Sequence, residues 1–220
     1  MNQTHWHSAP TRVHVGMFQK IRFLAISRCS IIPIFLVLFG LVSNGRAETF
    51  GEFTYTTNDT SAAITGYTGP GGNVTIPDAI GDKPVTSIAR WAFNNCTNMT
   101  GITIPNNVTA LGDYVFHGCS GLTNVVIPNN VTSFGAGTFG GCSSMTNVTL
   151  PDNVTNIMDD MFNGCSKLAN ITLPDSVMSI GEAAFYGCKN LADIQIPNKV
   201  TRIGTLAFCL CTSLTNVTLP

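Results

Sequence analysis

A block of 23 residues recurs along the second half of the chain without a gap. It first occurs in full as GITIPNNVTALGDYVFHGCSGLT, from Gly101 to Thr123, and four further copies follow in the same register. A degenerate and slightly longer copy precedes them, from Asn73 to Thr100. A fixed period of this length is typical of a repeat array, in which each unit packs only against its neighbours. The sequence therefore predicts one elongated repeat domain.

The first part of each unit has the pattern of a strand, a turn and a second extended piece. Leu122, Val125 and Ile127 predict a strand whose apolar side chains face inward. The sequence PNN at 128–130 predicts a turn, because proline presets its backbone dihedral and asparagine tolerates a tight backbone. A second short extended piece is expected over 131–134, before the next glycine.

The last part of each unit carries its most regular core residues. Phe139, Cys142 and Met145 recur at a spacing of three, which favours a single turn of 3₁₀- or α-helix. A phenylalanine occupies the same position in every unit, so it is expected in the core. These residues are Phe93, Phe116, Phe139, Phe162, Phe185 and Phe208.

A glycine follows the second extended piece in four units. The four residues are Gly112, Gly135, Gly181 and Gly204. Met158 and Ala89 occupy the same position in two other units, so a positive φ is not expected there. We expect instead that glycine is used because neighbouring coils approach closely.

The cysteines follow the same period. Six of the eight fall one per unit, at Cys96, Cys119, Cys142, Cys165, Cys188 and Cys211. Parallel side chains in such a ladder rarely reach the torsion of a disulfide, so we expect buried free thiols, with scattered disulfides as the alternative. Cys209 departs from the pattern and is free to pair or react. No two cysteines or histidines stand in a Cys-x-x-Cys type of spacing, so no zinc site is predicted.

Residues 1–47 carry the features of an export signal. Three basic residues precede an apolar run over 31–42, and small residues follow it. This order is typical of a secretory signal peptide, and we expect cleavage after Ala47 and a translation start at Met17. A membrane anchor is the alternative, but the run is shorter than the ~20 residues that a spanning helix needs.

Residues 48–72 lack the period. Two alternating runs, 50–57 and 62–68, are separated by the turn-forming residues 58–60. This pattern predicts a β-hairpin-like cap of two strands, which would cover the hydrophobic end of the first coil. The repeats then occupy 73–220, as six full units and a truncated seventh.

The repeat is most regular from Asp193 to Leu214, where it has the pattern apolar-x-Ile-Pro-x-x-Val-Thr-x-Ile-Gly-x-x-Ala-Phe-x-x-Cys-x-x-Leu. This pattern closely resembles the BspA-like leucine-rich repeats, over about two-thirds of the chain. The resemblance implies a leucine-rich-repeat solenoid, a curved right-handed superhelix with short strands on one face and helical turns on the other. It also implies export to the bacterial surface or beyond and a role in adhesion or binding. It supplies no catalytic residues.

Residues with catalytic or metal-binding chemistry are sparse. His117 is the one histidine within the repeats, and it follows a core phenylalanine where other units hold unrelated residues, so it is expected at the surface. Asp159 and Asp160 are adjacent, and adjacent side chains on a helical turn diverge. Neither catalysis, nor a metal site, nor a cofactor is predicted.

The charge content limits the class of partner. Only 10% of the residues are charged, and the formal net charge is −1. Nucleic acids and acidic membrane surfaces both require clusters of basic residues, so neither is expected as a partner. A membrane contact is expected only through an uncleaved signal segment.

The outward positions of the main strand form two polar rows. Asparagine dominates the first row, with exceptions at Asp193 and Gly101, and threonine dominates the second, with exceptions at Val126 and Gln195. The two rows either serve only as the polar, water-exposed side of the strands or form a docking strip for a partner with a repeating structure. The candidate binding residues are Asn124, Asn147, Thr149, Asn170, Thr172, Asp193 and Gln195.

The sequence thus favours an exported, non-catalytic protein that binds an extracellular protein or polysaccharide through its repeat surface. The alternative is a structural or spacer module of a larger cell-envelope protein, and an independent enzyme is the third hypothesis. Partner identity and oligomeric state are not predicted.

Overall fold

The structure is a computed structural model that describes residues 47–219. The expected signal segment and the expected start at Met17 lie outside the described residues. The strands, in chain order, are β1 (Glu48–Phe50), β2 (Phe53–Thr57), β3 (Ala62–Tyr67), β4 (Gly72–Thr75), β5 (Ala79–Ile80), β6 (Lys83–Ile88), β7 (Met99–Thr103), β8 (Ala110–Leu111), β9 (Asn124–Val126), β10 (Ser133–Phe134), β11 (Asn147–Thr149), β12 (Asn156–Ile157), β13 (Ser179–Ile180), β14 (Asp193–Gln195), β15 (Arg202–Ile203) and β16 (Asn216–Thr218). Among the described residues, no helix is long and apolar enough to cross a membrane.

The repeats form a leucine-rich-repeat solenoid, as the period predicts, with two strands in most coils. The first strands pair in parallel in the order β11-β9-β7-β4, and β14 pairs with β16 in a separate sheet. The second strands pair in parallel from β6 through β8 to β10, and again from β12 through β13 to β15. Each pairing joins equivalent positions of adjacent units, for example Val148 with Val125. Equivalent side chains therefore line up from coil to coil.

The cap contains three strands rather than the two that the sequence predicts. β1, β2 and β3 are antiparallel, and β3 then pairs in parallel with β6 of the first repeat. The expected turn is formed, since the side-chain oxygen of Asn58 accepts hydrogen bonds from the backbone N–H groups of Thr60 (2.9 Å) and Ser61 (2.8 Å). The additional strand arises from a tight connection at Gly51, whose φ is 58°. The cap thus extends the sheet of the second strands.

The extra residues of the first repeat form a small hairpin. β5 pairs antiparallel with β6, and Gly81 at the connection has a φ of 63°. The amine of Lys83 donates to the backbone carbonyl of Asn58 in the cap. The insertion therefore joins the cap to the first coil.

The turn at each proline is formed as predicted. The backbone N–H of Val131 donates to the carbonyl of Pro128 (3.0 Å), and the same bond recurs at Pro105, Pro151, Pro174 and Pro197. The second asparagine of the turn has an additional role, since its side-chain amide donates to a backbone carbonyl of the preceding coil. This bond measures 2.8 Å from Asn130 to Asn106 and 3.0 Å from Asn153 to Asn129. One N–H of each of these amides is therefore used by the scaffold.

The helical turn expected around the core phenylalanine is not formed. The segments that connect the strands within residues 47–219 contain no helix. The spacing of three is instead produced by consecutive reverse turns, in which Cys142 donates to Phe139 (3.1 Å) and Met145 donates to Cys142 (3.0 Å). Gly141 lies within the first of these turns with a φ of 73°, and a left-handed residue cannot continue a right-handed helix. The backbone on this turn side bonds to the next coil, for example from Phe139 to Met161 (3.0 Å).

The core is one continuous column of buried side chains. The phenylalanines of adjacent coils stack with ring centroids 5.3 to 5.7 Å apart, from Phe93 to Phe208. At the cap, Tyr67 stacks on Phe93 at 5.4 Å and Phe53 contacts the same ring at 6.4 Å. Burying an aromatic ring in such a column contributes on the order of 2 kcal/mol. The cap therefore closes the column with two further aromatic rings.

The ladder cysteines are free at five of the six positions. Four of these five thiols are buried, and the fifth is partly buried. Each of these five thiols donates to the backbone carbonyl of the phenylalanine in the preceding coil, at 3.0 to 3.2 Å. The five are Cys119, Cys142, Cys165, Cys188 and Cys211. Cysteine suits the position because it is a small apolar side chain with a weak donor. The expectation of free thiols is thus confirmed for these five residues.

We expect alkylation to separate these thiols from Cys209. Burial raises the pKa of Cys119 and of Cys165 to about 12, so almost no thiolate forms there at pH 8. Iodoacetamide at pH 8 should therefore label the half-exposed Cys209 in the folded protein and label Cys119 and Cys165 only in guanidinium. Peptide mass spectrometry measures the label at each position. Equal labelling rates for Cys165 and Cys209 in the folded protein would contradict the buried ladder.

Candidate functional site

The two polar rows lie on the side of the solenoid formed by the first strands. The register pairs Gly101 with Asn124 and Asn124 with Asn147, so the positions of the first row align across these coils. Thr149 pairs with Val126 in the second row. Side chains alternate along a strand, and here the inward residues, such as Val125 and Val148, are buried while the row residues are exposed. The seven candidate residues Asn124, Asn147, Thr149, Asn170, Thr172, Asp193 and Gln195 are all exposed.

The strand side is divided at one coil. Residues 170–172 are not assigned to a strand, although the sequence there is as regular as in its neighbours. The alternation persists, because Asn170 and Thr172 are exposed while Ile171 is buried. Asp193 and Gln195 belong to the smaller sheet, where they pair with Asn216 and Thr218. The structure therefore brings Asn124, Asn147 and Thr149 together in one sheet, and Asp193 and Gln195 in another.

Two asparagines of the first row, Asn124 and Asn147, are joined by a long hydrogen bond. The side-chain amide of Asn147 donates to the side-chain oxygen of Asn124 at 3.5 Å, and the hydroxyl of Thr146 donates to the same oxygen at 3.4 Å. Bonds of this length are weak and leave capacity at each amide for a ligand. The hydroxyls of Thr123 and Thr146 donate to backbone carbonyls of the preceding coil, which positions a third row of polar side chains beside the asparagines. The strip thus offers both donors and acceptors in a repeated arrangement.

A shallow groove of about 460 Å³ lies where the first row is interrupted. Gly101 has no side chain there, and the side chain of Asn73 leans across it from the neighbouring coil. Asn124 and the exposed Val126 line the other side. A cavity of this volume is within the size range of small-ligand sites. The gap in the row therefore creates a concave feature of the strip near the first coils.

A second cluster lies on the turn side, and the sequence pattern alone did not identify it as a group. The rings of Trp91 and Tyr114 stack at 4.4 Å with an angle of 10°. The ring of His117 meets both edge-on, at 5.9 and 5.7 Å. Trp91 and Tyr114 occupy the same position of adjacent units, 23 residues apart, so the period contains the signal that would have found them. His117 is partly exposed, in accord with a position at the surface, and packs against these two rings.

Charged residues border this cluster. The guanidinium of Arg90 lies 5.5 Å from the Trp91 ring centroid and 5.7 Å from that of Tyr114. Its Nε is 4.0 Å from one carboxylate oxygen of Asp113, whose other oxygen accepts from the backbone N–H of Ala136 at 3.0 Å. The Nδ1 of His117 is 3.3 Å from the side-chain oxygen of Asn94. The cluster is therefore close to neutral and rich in hydrogen-bonding groups.

The adjacent aspartates have separate partners. The carboxylate of Asp159 accepts from the backbone N–H of Glu182 at 2.7 Å, and that of Asp160 accepts from the side-chain amide of Asn163 at 2.7 Å. Between residues 47 and 219, no group of three histidine, cysteine or acidic side chains is arranged to hold a metal ion.

Comparison with known proteins connects this solenoid to one family. The model of the BspA type leucine-rich repeat region matches six copies, over residues 72–166 and 136–220. No curated protein matches the chain. The structure is similar to a leucine-rich repeat protein of T. pallidum, with 28% identity, a TM-score of 0.73, and coverage of 79% of this chain and 82% of that one.

Two further solved structures share the fold at higher identity. A leucine-rich cell surface protein of Faecalibacterium prausnitzii is 34% identical with a TM-score of 0.60, over 80% of this chain and 55% of that one. A leucine-rich repeat protein of Bacteroides ovatus is 32% identical with a TM-score of 0.54, over 79% of this chain and 41% of that one. The chain thus spans about half the length of these two relatives or less. The chain belongs to the family of BspA-type leucine-rich repeat proteins.

Proposed function

We propose that this protein is an exported binding protein that holds an extracellular protein or polysaccharide against its first-strand side. The observation that carries the proposal is the in-register row that joins Asn124 to Asn147, with Thr149 in the adjacent row. Export is supported by the signal-like order of residues 1–47 and by the similarity to a leucine-rich cell surface protein. Catalysis has no part in the proposal.

The size of the strip supports binding of modest affinity. Strands are about 4.8 Å apart, so six coils give a strip about 30 Å long. With a width of about 20 Å, its area is roughly 600 Å², which is below the ~800 Å² that each partner contributes to a standard protein interface. A partner with repeated features would use the strip best, because it could meet the same amide and hydroxyl groups in successive coils.

We expect four substitutions on this side to remove partner capture without unfolding the protein. The variant carries Asn147→Ala, Thr149→Ala, Asn170→Ala and Thr172→Ala, all at exposed positions. Each should change the free energy of unfolding by no more than about 0.5 kcal/mol, because surface substitutions rarely exceed that. Surface plasmon resonance against purified extracellular-matrix proteins and neutral polysaccharides measures the loss of binding.

A matched control changes the same number of exposed polar residues on the second-strand side. It carries alanine at Thr132, Ser133, Thr155 and Asn156. Retained binding in this control and lost binding in the first variant would support the proposal. Equal binding by both variants would exclude the first-strand side and favour a spacer role for the repeats.

A further inference from the structure

The positions of Trp91 and Tyr114 are unusual for large aromatic residues. Both lie at a left-handed backbone position, with φ of 63° and 54°. The same position holds Gly137, Asp160 and Ala183 in later coils, also at positive φ, so no particular side chain is needed there for the fold. A side chain at such a φ costs roughly 1–2 kcal/mol relative to a glycine, which adopts it freely.

Packing of the two rings offsets this cost. Trp91 is 42% exposed, so it buries part of its surface and leaves the rest open to a ligand. A stacked aromatic pair contributes about 0.5–1.5 kcal/mol beyond the area it buries, which is no more than the backbone cost. Stacking alone therefore does not exceed the backbone cost, and the open part of the Trp91 surface is the feature that a ligand can use.

We propose that Trp91 and Tyr114 form a binding platform for a pyranose ring of a neutral glycan. A pyranose ring has an apolar face of C–H groups and a rim of hydroxyls. The platform provides exposed aromatic surface, and Arg90, Asp113 and His117 surround it with donors and acceptors. Binding sites for small ligands combine apolar and aromatic surface with a few placed polar groups in this way.

The charges around the platform decide the class of glycan. The guanidinium of Arg90 already lies near both rings, so a cationic ligand would be repelled. Asp113 lies 4.0 Å from Arg90 and balances its charge, so an anionic ligand gains little from the site. A neutral sugar meets neither penalty, and its hydroxyls can both donate to the carboxylate and accept from the guanidinium.

This platform is distinct from the polar rows, because it lies in the turn segment of its coils and the rows lie on the first strands. The later coils do not extend it, since Gly137 replaces the aromatic residue and the Tyr114 ring lies directly over that glycine. Because the rings of Trp91 and Tyr114 are parallel and 4.4 Å apart, each covers one face of the other, so the site fits one sugar residue of a longer chain.

Calorimetric titration of the full chain with defined glycans tests the proposal. The neutral probes are cellohexaose, xylohexaose and mannohexaose, and heparin hexasaccharide is the anionic probe. At least one neutral probe should bind more tightly than heparin, and it should quench or shift the Trp91 fluorescence in a Trp6→Phe background, where Trp91 is the remaining tryptophan. Heat from none of the neutral probes at up to about 10 mM, tenfold above the Kd of a weak millimolar site, overturns the proposal.

Three variants separate the platform from general effects on folding. Trp91→Gly removes the ring and suits the left-handed backbone, which limits the loss of stability. The protein should therefore remain folded while binding weakens about tenfold or more. Trp91→Phe keeps an aromatic surface and should retain most of the affinity. The variant with four alanines on the first-strand side should bind the same probe as the parent does. Unchanged affinity in Trp91→Gly, or loss in the strand-side variant alone, would overturn the platform.

Discussion

Replacing Phe139 with alanine is expected to lower the free energy of unfolding by about 3–5 kcal/mol. The ring is fully buried, and its centroid lies 5.5 Å from that of Phe116 and 5.7 Å from that of Phe162. The substitution leaves a cavity between two coils in the middle of the column. Because the stability of a repeat array depends on the contacts between neighbouring units, the weakened junction should also separate unfolding into two transitions. Circular dichroism during urea denaturation measures both effects.

Phe208→Ala is the matched control. Phe208 is the last ring of the described column and is only partly buried, with one phenylalanine neighbour, Phe185, at 5.3 Å. Its loss should cost less than that of Phe139 and should leave unfolding in a single transition. A cost below about 1 kcal/mol for Phe139→Ala, or an equal cost for both variants, would show that the rings do not carry the contact between coils.

A steep loss of stability at alkaline pH is the second large effect that we expect. Burial raises the pKa of the Cys119 and Cys165 thiols to about 12, and it also raises those of Cys142 and Cys188. The unfolded chain releases these protons near the ordinary pKa of 9.0, whereas the folded chain retains them. The folded state therefore binds more protons, and its stability falls as the pH rises from about 9 to about 12.

Each buried thiol contributes a slope of about 1.4 kcal/mol per pH unit within this window. Below pH 9 the thiols are protonated in both states, so they add no pH dependence there. Urea denaturation at several pH values from 8 to about 11 measures the slope, and Cys165→Ala should reduce it by the contribution of one proton. Tyrosines and lysines titrate in the same range but are unchanged in the variant, so they cancel in the comparison. An identical slope in the two proteins would mean that Cys165 ionises freely in the fold.

The repeating core residues could be predicted from the sequence because each one meets its own equivalent in the next coil. The phenylalanine column and the buried thiols follow from the period alone, since residues 23 apart are brought into contact by any solenoid with that repeat. The glycine position was also predicted correctly. None of Gly112, Gly135 and Gly204 has a positive φ, and a Cβ on Gly135 would lie 2.2 Å from the backbone nitrogen of Asp113.

The candidate binding rows could be predicted as exposed positions, but not as a continuous surface. Alternation along a strand shows that Asn147 and Thr149 face outward. It does not show that the strand is interrupted at 170–172, or that the side chain of Asn73 leans over Gly101. Those features depend on the distances between coils, which residue type does not encode.

The sequence by itself determined the period, the residues of the core and the outward direction of the polar rows, because all three follow from matching each unit to the next. Only the tertiary structure decided the third strand of the cap, the reverse turns in place of helical turns, and the edge-on contacts of His117 with Trp91 and Tyr114. The physical reason is the backbone of the turn side, where alternate N–H groups bond to the next coil and hold residues such as Tyr114 at positive φ. That conformation is imposed by stacking, and it places variable side chains of adjacent units on top of one another.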